Sequence, residues 1–220
     1  MDNIKYLGVN IEDKSDIFGR YVKDKISKSL KYKFWVGRLL SGKIYKAALG
    51  KVFWKSAVLP SILHGAQACT WKENQIKQVD TLQTGIMKSL LNLPVRTAGC
   101  YVRGEIGISQ HKFRDVKLKL GLLQHIVQNT EHLKNLILAE WDRGHRWIDR
   151  CKLYLDRIGL SVDDIEEMSK TKLKIVVNKI ETLEWRNDMM TKSTLFYYRK
   201  VKTQIKQDRY WINNDRGKDN

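Results

Sequence analysis

The chain has 220 residues, 42% of them apolar and 10% aromatic, with 41 Lys or Arg against 24 Asp or Glu for a formal net charge of +17. That apolar and aromatic share excludes a disordered polyelectrolyte, and a chain of this length can bury roughly 70% of its unfolded surface without disulfide or metal staples. Only 2 prolines and 14 glycines break it, which favours helices, and no apolar run reaches the roughly 20 residues of a membrane span.

Residues 4–11 are rich in β-branched and aromatic side chains up to Glu12-Asp13 and read as a short strand or half a hairpin. Such an edge needs a partner, expected before Met1 in a longer parent. From Lys14 the period turns helical: Phe18, Val22, Ile26 and Leu30 recur every four residues as an inward stripe, with Arg20, Lys23, Lys28 and Lys31 opposite. Lys25 falls beside that stripe and is expected to snorkel. Ser41-Gly42 reads as a turn. Residues 43–69 form a second helical stretch whose later half is apolar nearly all round, hence the most buried element, with a kink or fresh start at Pro60.

Asn74 is an N-cap candidate for a helix to Leu91, stopped before Pro94. A short helix over 98–105 closes at Gly104 or Gly107, and 110–129 follows with Phe113, Val116, Leu120, Leu123 and Val127. Helices over 131–141 and 143–158 divide at Gly144. Ser161 and Asp164 are spaced as a capping box, and helices over 170–190 and 194–211 precede a polar tail. No internal repeat or low-complexity tract is evident. The expected fold is mainly α, a multi-helix bundle with a short N-terminal β-strand or hairpin remnant, divided into a strand unit 1–13 and helical regions 14–130 and 131–220.

Charge is concentrated early. Residues 14–55 hold twelve Lys or Arg against Asp16 and Asp24, so this stretch alone carries +10. Apolar residues thread through it, so it is a folded cationic element rather than a tail, and its natural partner is a polyanion such as nucleic acid. The candidate contacts are Arg20, Lys23, Lys28, Lys31, Arg38 and Lys43.

Other constellations carry less. Asp163-Asp164 has no third metal carboxylate nearby and suits a helix start, where acids favour the dipole. His64, His111, His125, His132 and His145 show no i,i+4 pairing and no Cys partner, so no zinc site is expected. Arg103-Gly104-Glu105-Ile106-Gly107 has too few glycines for a phosphate loop and reads as a helix exit. Cys69, Cys100 and Cys151 form no Cys-x-x-Cys pair and read as buried or incidental thiols in a reducing compartment. The N-terminus lacks the apolar core of a signal peptide, so a cytoplasmic or nuclear location is expected, with no membrane partner.

Several phrases together resemble one family. Lys5-Tyr6-Leu7-Gly8-Val9 resembles the primer-grip hairpin that follows the catalytic aspartates in reverse transcriptases of non-LTR (LINE-like) retrotransposons. Phe18 with Tyr21-Val22, Trp54, Val58-Leu59-Pro60-Ser61-Ile62-Leu63-His64-Gly65-Ala66 and Leu90-Leu91-Asn92-Leu93-Pro94 continue the likeness. So do Arg103-Gly104-Glu105-Ile106-Gly107 and Lys192-Ser193-Thr194-Leu195-Phe196-Tyr197-Tyr198-Arg199-Lys200-Val201-Lys202. His64 departs from it, standing where the family often has an aromatic.

The resemblance spans residue 4 to about 211 and implies that 14–130 is a thumb gripping the template–primer backbone, with 131–220 a post-thumb region. It also implies that Lys5, Tyr6, Leu7 and Gly8 help seat the primer end. The palm aspartates that hold two Mg ions in the complete polymerase are expected before Met1, in upstream palm and fingers domains, and a Cys/His knuckle is expected beyond residue 220. The chain is then a fragment of an RNA-directed DNA polymerase: it binds RNA, DNA or their hybrid, needs no cofactor and catalyses nothing by itself. The alternative is a basic helical protein–protein scaffold with no enzymatic role; a sequence-specific helix-turn-helix regulator is disfavoured by a Lys-dominated face poor in base-reading residues.

Overall fold

The computed structural model of the chain describes residues 3–6, 9–12, 19–39 and 46–206, with backbone alone at 3–6, 9–12, 33, 37, 39 and 46. These residues build a multi-helix bundle with a small two-stranded hairpin beside its first helix. Strands β1 (Asn3–Tyr6) and β2 (Val9–Glu12) pair antiparallel, with Ile4 opposite Ile11 and Tyr6 opposite Val9. A partner for the strand therefore lies within the chain itself.

A first core gathers α1 (Gly19–Leu39), α2 (Lys46–Phe53), α3 (Leu59–Leu63), α4 (Glu73–Leu90) and α5 (Gly99–Ile106). Between α2 and α3 the chain widens into a π-helical segment, Trp54–Val58, in which the Leu59 N–H bonds back to the Trp54 carbonyl. The expected disturbance at Pro60 takes this form. Proline has no N–H and its ring crowds the carbonyl four residues before, so a regular ladder cannot run through it, and Pro60 instead sits in the first turn of α3. Trp54, Val58, Ile62 and Ala66 are all exposed by 1% or less, as expected for the most buried stretch.

Helix α4 starts one residue before Asn74. The Gln75 carbonyl Oε1 accepts the Lys72 N–H at 2.8 Å, which satisfies an orphan donor from inside the helix and leaves Asn74 no capping role. Helix α5 closes at Gly107, whose φ of +67° is left-handed. Gly104 lies inside α5, where a Cβ would come within 2.7 Å of the Trp185 ring, so its bareness sets how closely that ring approaches.

A second core is built by α6 (His111–Asn129), α7 (Glu131–Ala139), α8 (Arg146–Ile158), α9 (Val162–Glu167) and α10 (Lys170–Met190), around Leu120, Leu123, Cys151, Tyr154, Ile165 and Val177. Helix α8 starts at Arg146 rather than 143, because Gly144 adopts φ +81° and His145 Nδ1 accepts the Trp147 N–H at 3.4 Å. The capping box at α9 forms as spaced: Ser161 Oγ accepts the Asp164 N–H, and Asp164 Oδ2 accepts the Ser161 N–H at 2.7 Å.

A third, small core of Cys100, Trp185, Met189 and Leu195 ties α5 and α10 to a 3-10 turn, Ser193–Leu195, and to α11 (Phe196–Val201). The helix expected over 194–211 is thus short, ending before Lys202, where the backbone becomes extended; residues 207–211 lie outside the described residues.

Candidate nucleic-acid interface

Helix α1 lies against α3, α4 and β2. Its inward face is Tyr21, Val22, Ile26, Ser29 and Val36, all less than 9% exposed. Ser29 is tolerated there because its hydroxyl donates to the Ile26 carbonyl at 2.6 Å. Two polar clamps fasten the helix to α3: the Tyr21 hydroxyl donates to the His64 carbonyl at 2.6 Å, and Lys25 Nζ donates to the Ser61 carbonyl at 2.8 Å. Burial pushes the Tyr21 hydroxyl up to about 12, with Cys69 adding to the rise. Burial, then Lys28, holds the Lys25 ammonium below its usual range. Lys25 does not carry its head out to water as expected: its part-buried ammonium is held by the Ser61 carbonyl of α3.

Arg20, Lys23, Lys28, Lys31 and Arg38 are all exposed. At 100° per residue, Arg20, Lys31 and Arg38 fall within about 20° of one line along the helix, with Lys23 about 60° to one side and Lys28 about 80° to the other. The line is about 27 Å long at 1.5 Å per residue. Asp24 is the one acid on α1, and none of the five cations forms an ion pair with a carboxylate among the described residues. The structure therefore brings these five candidate residues onto one face. Lys5 and Tyr6 stand in β1, paired with Asn10 and Val9 of the strand that lies beside α1. Leu7, Gly8 and Lys43 lie outside the described residues.

The expected inward stripe is only half right. Val22 and Ile26 are 1% and 8% exposed, but Leu30 is 56% and Phe34 is 70% exposed, and Trp35 is 56% exposed. Phe18 lies outside the described residues. A spacing of four advances about 40° per step beyond a full turn of 3.6 residues, so the row walks off the buried side after two steps. Ser29 and Val36 take the vacated inward positions, and two aromatics join the cations outside.

Charge is handled in the opposite way within α6. Lys119 and Asp115, one turn apart, form an ion pair with both side chains fully buried, and the Tyr154 hydroxyl donates to Asp115 Oδ2 at 2.5 Å. Burial, reinforced by Asp115, pushes that hydroxyl above its usual range. Arg114 donates to Gln83 Oε1 at 2.6 Å, which also accepts Trp54 Nε1–H at 3.0 Å. The His111 N–H donates to Asp80 Oδ1 at 2.6 Å, while its ring meets Trp71 edge-on at 4.8 Å and is pushed down to about 3 by burial. These groups knit α4, α6 and α8 together and are too enclosed to meet a solute. The reading of the sequence missed them, although an Asp-x-x-x-Lys pair flanked by Val116, Leu120 and Leu123 is an i,i+4 bridge on an apolar face and marks such a pair.

Asp163 and Asp164 open α9, and the Ser161 N–H and hydroxyl hold the Asp164 carboxyl below its usual range. Among the described residues no group of three His, Cys, Asp or Glu could hold a metal ion, and no helix is long and apolar enough to cross a membrane. Cys69, Cys100 and Cys151 are buried free thiols, with Cys69 and Cys151 pushed up to about 12 by burial. The chain matches no protein-family model, no curated protein and no solved structure.

Proposed function

We propose that this chain binds nucleic acid through the outward face of α1, as a thumb and connection region of the LINE-like reverse transcriptase type, without catalysing synthesis by itself. The observation that carries the reading is the row of five exposed cations over about 27 Å, unmatched by carboxylates among the described residues. Surface helices ordinarily mix signs to gain i,i+4 pairs; one whose cations have no carboxylate partner among the described residues suits phosphates. The primer-grip resemblance would add Lys5 and Tyr6 of β1, which pairs with the strand beside α1.

If all five reach phosphates, the logarithm of affinity falls against the logarithm of salt concentration with a slope of about −4 to −5. Fluorescence anisotropy with a labelled primer–template tests this. Charge reversal at Lys23, Lys28 or Lys31 is expected to weaken binding several-fold each and to flatten the slope. Folded protein that shows no binding at about 50 mM salt overturns the reading.

A protein-binding scaffold is the second reading. It is favoured by a groove of about 490 Å3 between α6, α7 and α8, lined by Leu122, Ile126, Leu136, Ile137, Trp147 and Ile148. Helix α7 has no buried residue, and Leu133, Leu136 and Leu138 on it are more than 40% exposed. Capture of an acidic protein that survives nuclease treatment, with no affinity for free RNA or DNA, would select that reading over the first.

A further inference from the structure

Phe34 and Trp35 need an explanation that the core does not provide. The inward face of α1 is completed by Ser29 and Val36, while two aromatics of much larger apolar area stand 70% and 56% exposed one turn away, with Leu30 at 56% beside them. A single exposed apolar side chain is ordinary, but three on one helical turn and a half form a patch. Their placement relative to the charges is the decisive feature. Taking the Arg20–Lys31–Arg38 line as reference, Phe34 lies about 40° to one side and Trp35 about 60° to the other. Along the axis both lie between Lys31 and Arg38, which are about 10 Å apart.

We propose that this turn of α1 takes unpaired nucleotides, with Phe34 and Trp35 stacking on exposed bases while Lys31 and Arg38 hold the flanking phosphates. The inference rests on the nucleic-acid reading above and specifies its ligand: a single strand, or the unpaired stretch beside a duplex end. A duplex presents phosphates to a helix but keeps the flat faces of its bases covered by their neighbours, so it offers Phe34 and Trp35 nothing to stack on. A single strand offers both anionic backbone and open π-faces, in the alternation that the cations and rings present.

Two other occupants fit less well. An anionic membrane surface suits a helix whose apolar and cationic sides are opposed. Here the cations run between the two rings, so inserting the rings would drag Lys31 and Arg38 toward hydrocarbon. A second copy of the chain would bring two rows of like charges together.

The test compares a labelled single strand of about 12 nucleotides with the blunt duplex of the same sequence, at one salt concentration. The single strand is expected to bind at least several-fold more tightly. Phe34→Ala and Trp35→Ala should each weaken the single strand by about 5- to 100-fold and leave duplex affinity unchanged. Trp35→Phe, which keeps a ring, should retain most of the affinity but lose the tryptophan quenching that the wild type shows on adding strand. Far-ultraviolet dichroism and thermal melts of each variant report whether it is folded.

If strand and duplex bind equally and the alanine variants bind both like wild type, the stacking assignment is overturned while the nucleic-acid reading stands. If neither binds, the nucleic-acid reading itself fails. Phosphatidylserine vesicles that blue-shift Trp35 emission and displace the strand would overturn the assignment in favour of a membrane surface. Self-association abolished by Phe34→Ala, without strand binding, would overturn it in favour of a second copy.

Discussion

Two stretches of this molecule share one sequence rhythm and end with opposite fates. Val22, Ile26, Leu30 and Phe34 recur every four residues, and so do Trp54, Val58, Ile62 and Ala66. The first row goes from 1% to 70% exposed along its length; the second never exceeds 1%. In α1 the helix is regular, so a four-residue spacing drifts by about 40° per step and carries Leu30 and Phe34 out of the core. In the second stretch the π-helical turn at Trp54–Val58 is wider, with a bond from residue i+5 back to i, and keeps Val58 and Ile62 on the buried side, while Ala66 follows after the helix ends at His64. The buried-or-exposed fate of an apolar residue thus depends on the local pitch as much as on spacing.

Substitutions can break that contrast. Trp54→Ala should be the costliest, at about 3–5 kcal/mol of unfolding free energy by urea denaturation, because it removes a fully buried indole and deprives Gln83 Oε1 of the N–H it accepts beside that of Arg114. A cost below about 1 kcal/mol would mean that the second row is not the keystone of the first core.

Tyr21→Phe sharpens the seam between the two rows, since that hydroxyl joins α1 to the end of α3. The loss of its bond to the His64 carbonyl should cost about 1 kcal/mol at neutral pH. The sign of its pH dependence follows from a folded value of about 12 against about 10 unfolded. The contribution is whole below pH 10 and is lost as pH rises from 10 toward 12, because only the unfolded chain releases the proton there. The alkaline limb of the variant should therefore be flatter than that of wild type; superimposable limbs would dissociate Tyr21 from the seam.

Phe34→Ala should be the mildest, within about 0.5 kcal/mol of wild type, as befits a side chain outside the core. A loss comparable to that of Trp54→Ala would show that Phe34 is covered by something other than solvent.

Much of the architecture was legible in the pattern of residues. Helix α10 runs over Lys170–Met190 as its periodicity implies, and α9 starts at Ser161 because the cap and its Asp164 partner are adjacent in sequence. Both signals are local, which is why they survive folding unchanged. Arg20, Lys23, Lys28, Lys31 and Arg38 also stand exposed as read, since a charge without a buried partner is costly to enclose. What failed depended on pitch or on distant neighbours. Leu30 stands outside because a spacing of four outruns a turn of 3.6 residues. Gln83, Arg114 and His111 gave no sign of their enclosure, since the groups that accept or donate to them come from other helices.

The fastening of α1 also has a mechanical consequence. Lys25 and Tyr21 grip the Ser61 and His64 carbonyls near the front end of the helix, while Phe34, Trp35 and Arg38 stand toward the far end with Val36 as the deeply seated residue among them. A cargo that pulls at Arg38 acts about 20 Å along the axis from the Lys25 clamp, and the load passes into the first core through Val36, Tyr32 and Ile26 before it reaches those hydrogen bonds.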